Sequence, residues 1–409
     1  MIINREIYWD KRISFYVVFY FIASVANATI KTVLNIYSSY ISMIFGALIV
    51  LTMLISINEV WRRSSKILVR SLLIFLVLYI ISFLLVTLRG ESFNVTLRHN
   101  VLLTYAWWIP IGLYAYSVKN IEILYKTYLK GSLLISVLLF VMLFSPSANS
   151  YTGNLSYNMF FGFNLVVPCM MHLNEFLRIK KKAYIILFLI ELLAIIFFGN
   201  RGALIPILFF VVYRVFYSSK RTKIKIFVIC CSISIALFII FQGKIIQGFN
   251  NILVSYGIQS RTLTMFMLGN ITDDSGRSLI WEISRDMVAQ KPFLGWGLGG
   301  EYSHISKALG SSIVNPAATP HNGIVQNFVN FGILGGILSS LLFIIPLFRI
   351  NKIKDDYRKS LVLIFASFMI VSFVSSDGFF IKPEIALFIY LYLRKDLHVN
   401  IEHKYLACN

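Results

Sequence analysis

Histidine is the side chain best suited to move a proton near neutral pH. His321 stands in the run Thr319-Pro320-His321-Asn322-Gly323, at the head of a long apolar segment. That makes it a candidate general base, although histidines at such boundaries also cap helices or sit among lipid headgroups. Arg201 lies in the three-residue turn Gly199-Asn200-Arg201 between two apolar runs. A guanidinium held there can grip phosphate through paired N–H donors, the alternative being a side chain that snorkels to the surface. Arg277 and Arg285, eight residues apart, fall roughly on one side of a helix and could complete a basic pocket for a pyrophosphate. Carboxylates are sparse. Asp377 occupies the turn Ser375-Ser376-Asp377-Gly378, and Glu191 falls inside an apolar run. A carboxylate there is costly, so it marks either a functional site or a group settled by pairing with an arginine or by protonation. His99 and His304 share the His321 side of the chain, so position alone does not single out one imidazole.

One motif is rejected. Gly295-Trp296-Gly297-Leu298-Gly299-Gly300 matches GxGxxG, but a dinucleotide site needs a strand before it and a helix opening after it. Here an amphipathic helix and Lys291-Pro292-Phe293 come first, and a tightly turned loop fits better. The glycines would matter where backbone must approach another group closely.

The elements that must carry these residues follow from composition. Of 409 residues, 58% are apolar or aromatic and only 14% charged, with mean hydropathy +0.76. A soluble enzyme with one anchor and an outer-membrane barrel are both excluded, since apolar runs of crossing length recur along the chain. The fold class is an all-α polytopic membrane protein. About twelve crossings are expected: 13–30, 34–57, 67–88, 101–118, 127–146, 155–175, 183–198, 202–217, 224–242, 322–347, 359–375 and 379–393. The first ends in Ala26-Asn27-Ala28, which resembles a signal-peptidase site, but its apolar stretch is long enough to cross. The net charge of +20 does not signal nucleic acid, because the basic residues sit in short loops between apolar runs. With the N-terminus inside, 26 Lys and Arg face the cytoplasm against 5 in the short outer loops, so both termini are expected in the cytoplasm. The four cysteines form no CxxC pair, metal spacing or disulfide framework.

Three parts result: transmembrane helices 1–9 over 1–242, an external loop over 243–321, and helices 10–12 with a cytoplasmic tail over 322–409. The 79-residue loop between the ninth and tenth crossings is too long to be a mere connection. After Asp274 and Ser275 as caps, Leu279, Ile280, Ile283, Met287 and Val288 define one face of an amphipathic helix, suited to lie on the outer leaflet or to cap the bundle. Division into nine plus three crossings argues against a transporter built from two related halves.

Several of these residues resemble a known family. His321-Asn322, nine residues, Gly332, two residues and Gly335 is similar to the signature of the O-antigen ligase and polymerase superfamily, the bacterial lipid-linked glycan transferases. Asn200-Arg201-Gly202 looks like that family's arginine turn. Gly276-Arg277-Ser278-Leu279-Ile280-Trp281, with Pro292 and the Gly295–Gly300 run, is similar to its external-loop segment. The resemblance is dispersed over residues 155–380.

It implies a metal-independent, integral-membrane glycosyltransferase of GT-C-like architecture, at the outer face of the bacterial inner membrane. No cofactor is expected. The implied partners are an undecaprenyl-pyrophosphate-linked glycan donor and acceptor and membrane lipid, with a chain-length regulator as a further candidate and no nucleic acid. By the same resemblance His321 is the general base, Arg201 and Arg277 bind the leaving pyrophosphate, Asn322 orients the imidazole and Asp377 supports the site, with Arg285 added as a supporting residue by its spacing from Arg277. Tyr157-Asn158-Met159-Phe160-Phe161-Gly162-Phe163, followed by Pro168, looks more like an O-antigen or capsule polymerase than like a ligase acting on lipid A-core. The polymerase expectation therefore leads. A flippase or a non-catalytic envelope scaffold remains as an alternative of another class.

Overall fold

The computed structural model describes residues 2–87, 101, 103–145, 159–198, 201–218, 251, 277–310, 318–374 and 382–394. Every regular element among them is helical. Helix α1 spans Ile2–Leu34 and α2 Ser39–Thr87. A π-helical turn at Thr104–Trp108 leads into α3, Ile109–Ser117, with Pro110 in its first turn where no amide donor is missed. Next come α4, Ile121–Leu143, capped by Asn120, then α5, Met159–Ile179, and α6, Lys182–Phe198. A 3-10 turn at Arg201–Ala203 opens α7, Leu204–Ser218. The remainder comprises α8, Arg277–Gln290; α9, Gly300–Ala308; α10, Gly323–Arg349; α11, Asp356–Val374; and α12, Pro383–Leu393.

Among the described residues, five helical stretches are long and apolar enough to cross a bilayer: Arg5–Leu34, Ser39–Leu84, Ile121–Leu143, Phe160–Ile179 and Gly323–Lys352. Leu204–Arg214 and Pro383–Leu393 are shorter apolar helices. Leu73, Ile74 and Val77 on α2, Leu189, Ile190 and Leu193 on α6, and Leu338 and Leu342 on α10 are all exposed. Side chains of this size each gain roughly 1.5–3 kcal/mol on leaving water, so a continuous exposed apolar belt is explained by lipid. This is a polytopic helical membrane protein. At its centre α11 is the most enclosed helix, with Leu361–Ala366 at 1% exposure or less.

The expected second and third crossings fall within one helical run, α2, whose 49 residues would extend about 74 Å if straight. Its contacts exclude a straight rod. The first half descends along α1, from Ser42 beside Lys31 to Arg63 beside Asp10. Arg63 also reaches the Ser117 carbonyl at the end of α3, whereas Tyr79 bonds Thr104 at the start of the preceding turn, and Phe75 packs on Trp108. The second half therefore runs back, with the change of direction near Arg62–Lys66. The expected ninth crossing, 224–242, and the loop segments 252–276 and 311–317 lie outside the described residues.

Within the bundle, Glu191 of α6 meets a histidine instead of an arginine. His172 Nδ1 of α5 lies 2.9 Å from both carboxylate oxygens, and Ser136 Oγ of α4 donates to one of them at 2.5 Å. His172 and Glu191 are each 1% exposed, so the costly carboxylate is satisfied by neighbouring helices. The interaction ties α4, α5 and α6 together.

Candidate functional site

The amphipathic helix expected after Ser275 is α8, and it packs on α10. Met287 is fully buried and Ile280, Ile283 and Val288 are partly covered, in a cluster with Trp296, Ile305, Ala318 and Val329. Leu279, expected on that face, is instead half exposed. The structure shows this helix packed on α10.

Between α8 and α9 the chain forms a strap against α10. The Trp296 and Gly297 amides donate to the Val329 and Asn330 carbonyls at 2.8 and 2.9 Å, and the Ile333 amide donates to Pro292 at 2.7 Å. Helix α10 yields to accept this pairing: Gly332 has φ 70 and ψ −172, a break inside the helix. Gly295 also has a positive φ of 64. A Cβ on Gly332 would stand 2.5 Å from the Phe293 carbonyl, and one on Gly295 would stand 2.5 Å from the Gly332 amide. Glycine is required at both places because two backbones touch there. The GxGxxG run thus approaches a helix, and its glycines are explained without a nucleotide.

His321 sits at the entry to α10 with φ 51, a left-handed conformation uncommon for any residue with a Cβ. Its amide and its Nδ1 both lie 3.4 Å from the Thr319 hydroxyl. Asn322 is the helix cap, its Oδ1 accepting from the Ile324 and Val325 amides at 3.0 and 3.1 Å. A cap of this kind contributes about 1 kcal/mol. Asn322 is therefore spoken for by the helix, and it holds the backbone next to His321. Trp281 of α8 donates its indole N–H to the Pro320 carbonyl at 2.8 Å. Arg277 lies one turn before Trp281 on the same side of α8, so this bond ties the helix that carries Arg277 to the residue before His321. Arg285 does not join them. It is 75% exposed and faces Glu282 and Asp286 at 3.7 and 3.9 Å. Arg201 begins the 3-10 turn before α7; its side chain and Asp377 lie outside the described residues.

Residues 185–340 match the family model described as O-Antigen ligase. This stretch of the chain is similar to the O-antigen ligase family. The match takes in Arg201, Arg277, the strap and His321 with Gly332 and Gly335, so the resemblance read from those motifs holds over that range. Residues 157–168 and Asp377 fall beyond it. No curated protein matches the chain significantly.

The matched stretch also holds a polar cluster that the motifs did not point to. Glu301, in the first turn of α9, is fully buried. Gln326 of α10 donates to its Oε1 at 2.6 Å, and the Asn330 amide, in the orientation that satisfies it, donates to Oε2 at 2.7 Å and to the Gly297 carbonyl at 3.2 Å. Burial pushes the Glu301 carboxyl up to about 7, against the opposing pull of these amides and of the backbone N–H groups of Glu301 and Gly299. The signal in the sequence was Gln326 and Asn330, four residues apart on one face of an otherwise apolar helix. Among the described residues no group of three or more His, Cys, Asp or Glu is arranged to hold a metal ion.

Proposed function

We propose that this protein polymerises undecaprenyl-pyrophosphate-linked oligosaccharide repeat units at the outer face of the bacterial inner membrane. The observation that supports the proposal is the Trp281–Pro320 bond, which ties the helix that carries Arg277 to the residue before His321, within the stretch similar to the O-antigen ligase family. His321 takes the proton of the acceptor hydroxyl as its oxygen attacks the anomeric carbon of the donor. The bond from that carbon to the pyrophosphate oxygen breaks, and the electron pair leaves on the pyrophosphate. Arg277 and Arg201 neutralise the growing charge, and the positive end of α10 favours the same anion. Asn322 and Thr319 hold the His321 backbone in its left-handed conformation. The reading includes twelve crossings with both termini in the cytoplasm, which put the site outside.

The family model's own description favours a second reading, transfer of the finished glycan to lipid A-core. One experiment separates them. Purified protein in liposomes receives the lipid-linked repeat unit without metal or nucleotide, with and without lipid A-core. A ladder of products in the absence of lipid A-core supports the polymerase; product only in its presence supports the ligase. Transfer by Arg201→Ala and Arg277→Ala at the wild-type rate would remove the pyrophosphate assignment from both.

A further inference from the structure

At the end of the bundle opposite His321, a cavity of about 410 Å³ is lined by Arg62, Arg63, Tyr116, Ser117, Val118, Lys119 and Arg394. Four of these side chains are cations and none is a carboxylate. The nearby acids are already engaged. Asp10 accepts from Arg63 and from the Lys119 and Asn120 amides, Glu59 from Arg62 and Arg63, and Glu6 from Lys119.

Arg394 has no carboxylate within ion-pair distance among the described residues. It is 7% exposed, and its guanidinium donates to the Val118 and Lys119 carbonyls. Burial, and after it the Arg358 guanidinium, hold its pKa down to about 10, so it carries its charge at neutral pH. Arg63 is 5% exposed, and its Nη2, buried, has no hydrogen-bond partner among the described residues. A buried guanidinium left with an unmet donor and excess positive charge is costly. An anion with several acceptor oxygens relieves both.

We propose that this cavity binds a phosphate group, supplied by the headgroup of an anionic phospholipid. Phosphate matches the forked donors of arginine, and its charge balances Arg394. The cavity lies where α3 and α12 end, and Tyr116 and Val118 give it an aromatic and apolar wall. Both features suit a lipid at the bilayer surface. The positive-inside rule assigns this basic end to the cytoplasm, so the inference stands apart from the transfer reaction proposed for the opposite face.

The test uses the full chain in phosphatidylcholine nanodiscs, titrated with dioctanoyl phosphatidylglycerol, dioctanoyl phosphatidylcholine or inorganic pyrophosphate, with retention read by native mass spectrometry. Wild type is expected to hold phosphatidylglycerol more tightly than phosphatidylcholine. Arg62→Gln and Arg394→Gln should each weaken that binding about five- to tenfold, as for removal of one phosphate-facing cation. Lys181→Gln, a basic position away from the cavity, should not. Arg62 is exposed, so its variant decides the matter if Arg394→Gln fails to fold. Equal affinity for the two lipids, or equal losses in all three variants, would overturn the proposal. Pyrophosphate binding as tight as that of phosphatidylglycerol would keep the phosphate site and overturn the lipid as its source.

Discussion

Where Asp10, Glu59, Glu122 and Glu175 gather at the basic end of the bundle, Arg62, Arg63, Lys126 and Arg178 each come within 2.6 Å of a carboxylate. At the other end, Arg277 has no ion-pair partner among the described residues, and the buried carboxylate of Glu301 is held by amides instead of cations. A carboxylate partner makes a cation part of the fold, and an incoming anion meets only the donors left over, as on Arg62 and Arg63, or a cation with no carboxylate partner among the described residues. The comparison separates structural charge from charge available to a substrate, and it suggests substitutions that should fail in different ways.

The largest effect is expected from Arg63→Ala at the basic end. It leaves Asp10 buried without its guanidinium and Glu59 with Arg62 alone, at a cost of about 3–5 kcal/mol. Thermal melting in detergent checks it, and a melting point near wild type would show that this network is dispensable. Arg277→Ala should behave in the opposite way, melting like wild type while transfer falls about 10²–10³-fold. A loss of stability in place of activity would make Arg277 another structural cation.

Gly332→Ala tests whether the strap, and not only charge, positions the outer site. A Cβ there meets the Phe293 carbonyl at a positive φ, so a loss of about 2–3 kcal/mol is expected, together with activity. Glu301 gives a smaller effect with a definite sign. Its carboxyl titrates near 7 in the fold against an ordinary 4.5, so the folded state holds the proton more tightly than the unfolded chain. Stability should therefore fall as pH rises from about 4.5 to about 7 and change little beyond. Melting curves at pH 5 and pH 8 should show this difference in wild type and not in Glu301→Gln. Smallest of all, Arg285→Ala at an exposed position should change both stability and transfer by less than about 0.5 kcal/mol.

What the sequence made legible was periodicity and spacing. The apolar face of α8 and the entry to α10 at Asn322 were readable because each is written within a few consecutive residues. The glycines at 295 and 332 were readable as special positions, but not as partners, because their contact joins segments 37 residues apart. Glu301 was missed for the same reason: its donors arrive from α10, and the sequence shows only polar residues on an apolar helix. His172 and Glu191 show the converse. An isolated carboxylate in a crossing was legible as functional or as settled by a partner, but the partner, a histidine on the adjacent helix, was not.

The central claim is that His321 removes the acceptor proton. Its direct test compares wild type with His321→Ala in liposomes, supplied with the lipid-linked repeat unit under metal-free and nucleotide-free conditions. Products are resolved on a glycan gel, and melting curves confirm that both proteins are folded. Transfer is expected to fall by about 10²–10⁴ in the variant, the usual worth of a general base, with the melting point unchanged. Equal product from the two folded proteins would contradict the account and leave His321 as a residue that only shapes the entry to α10.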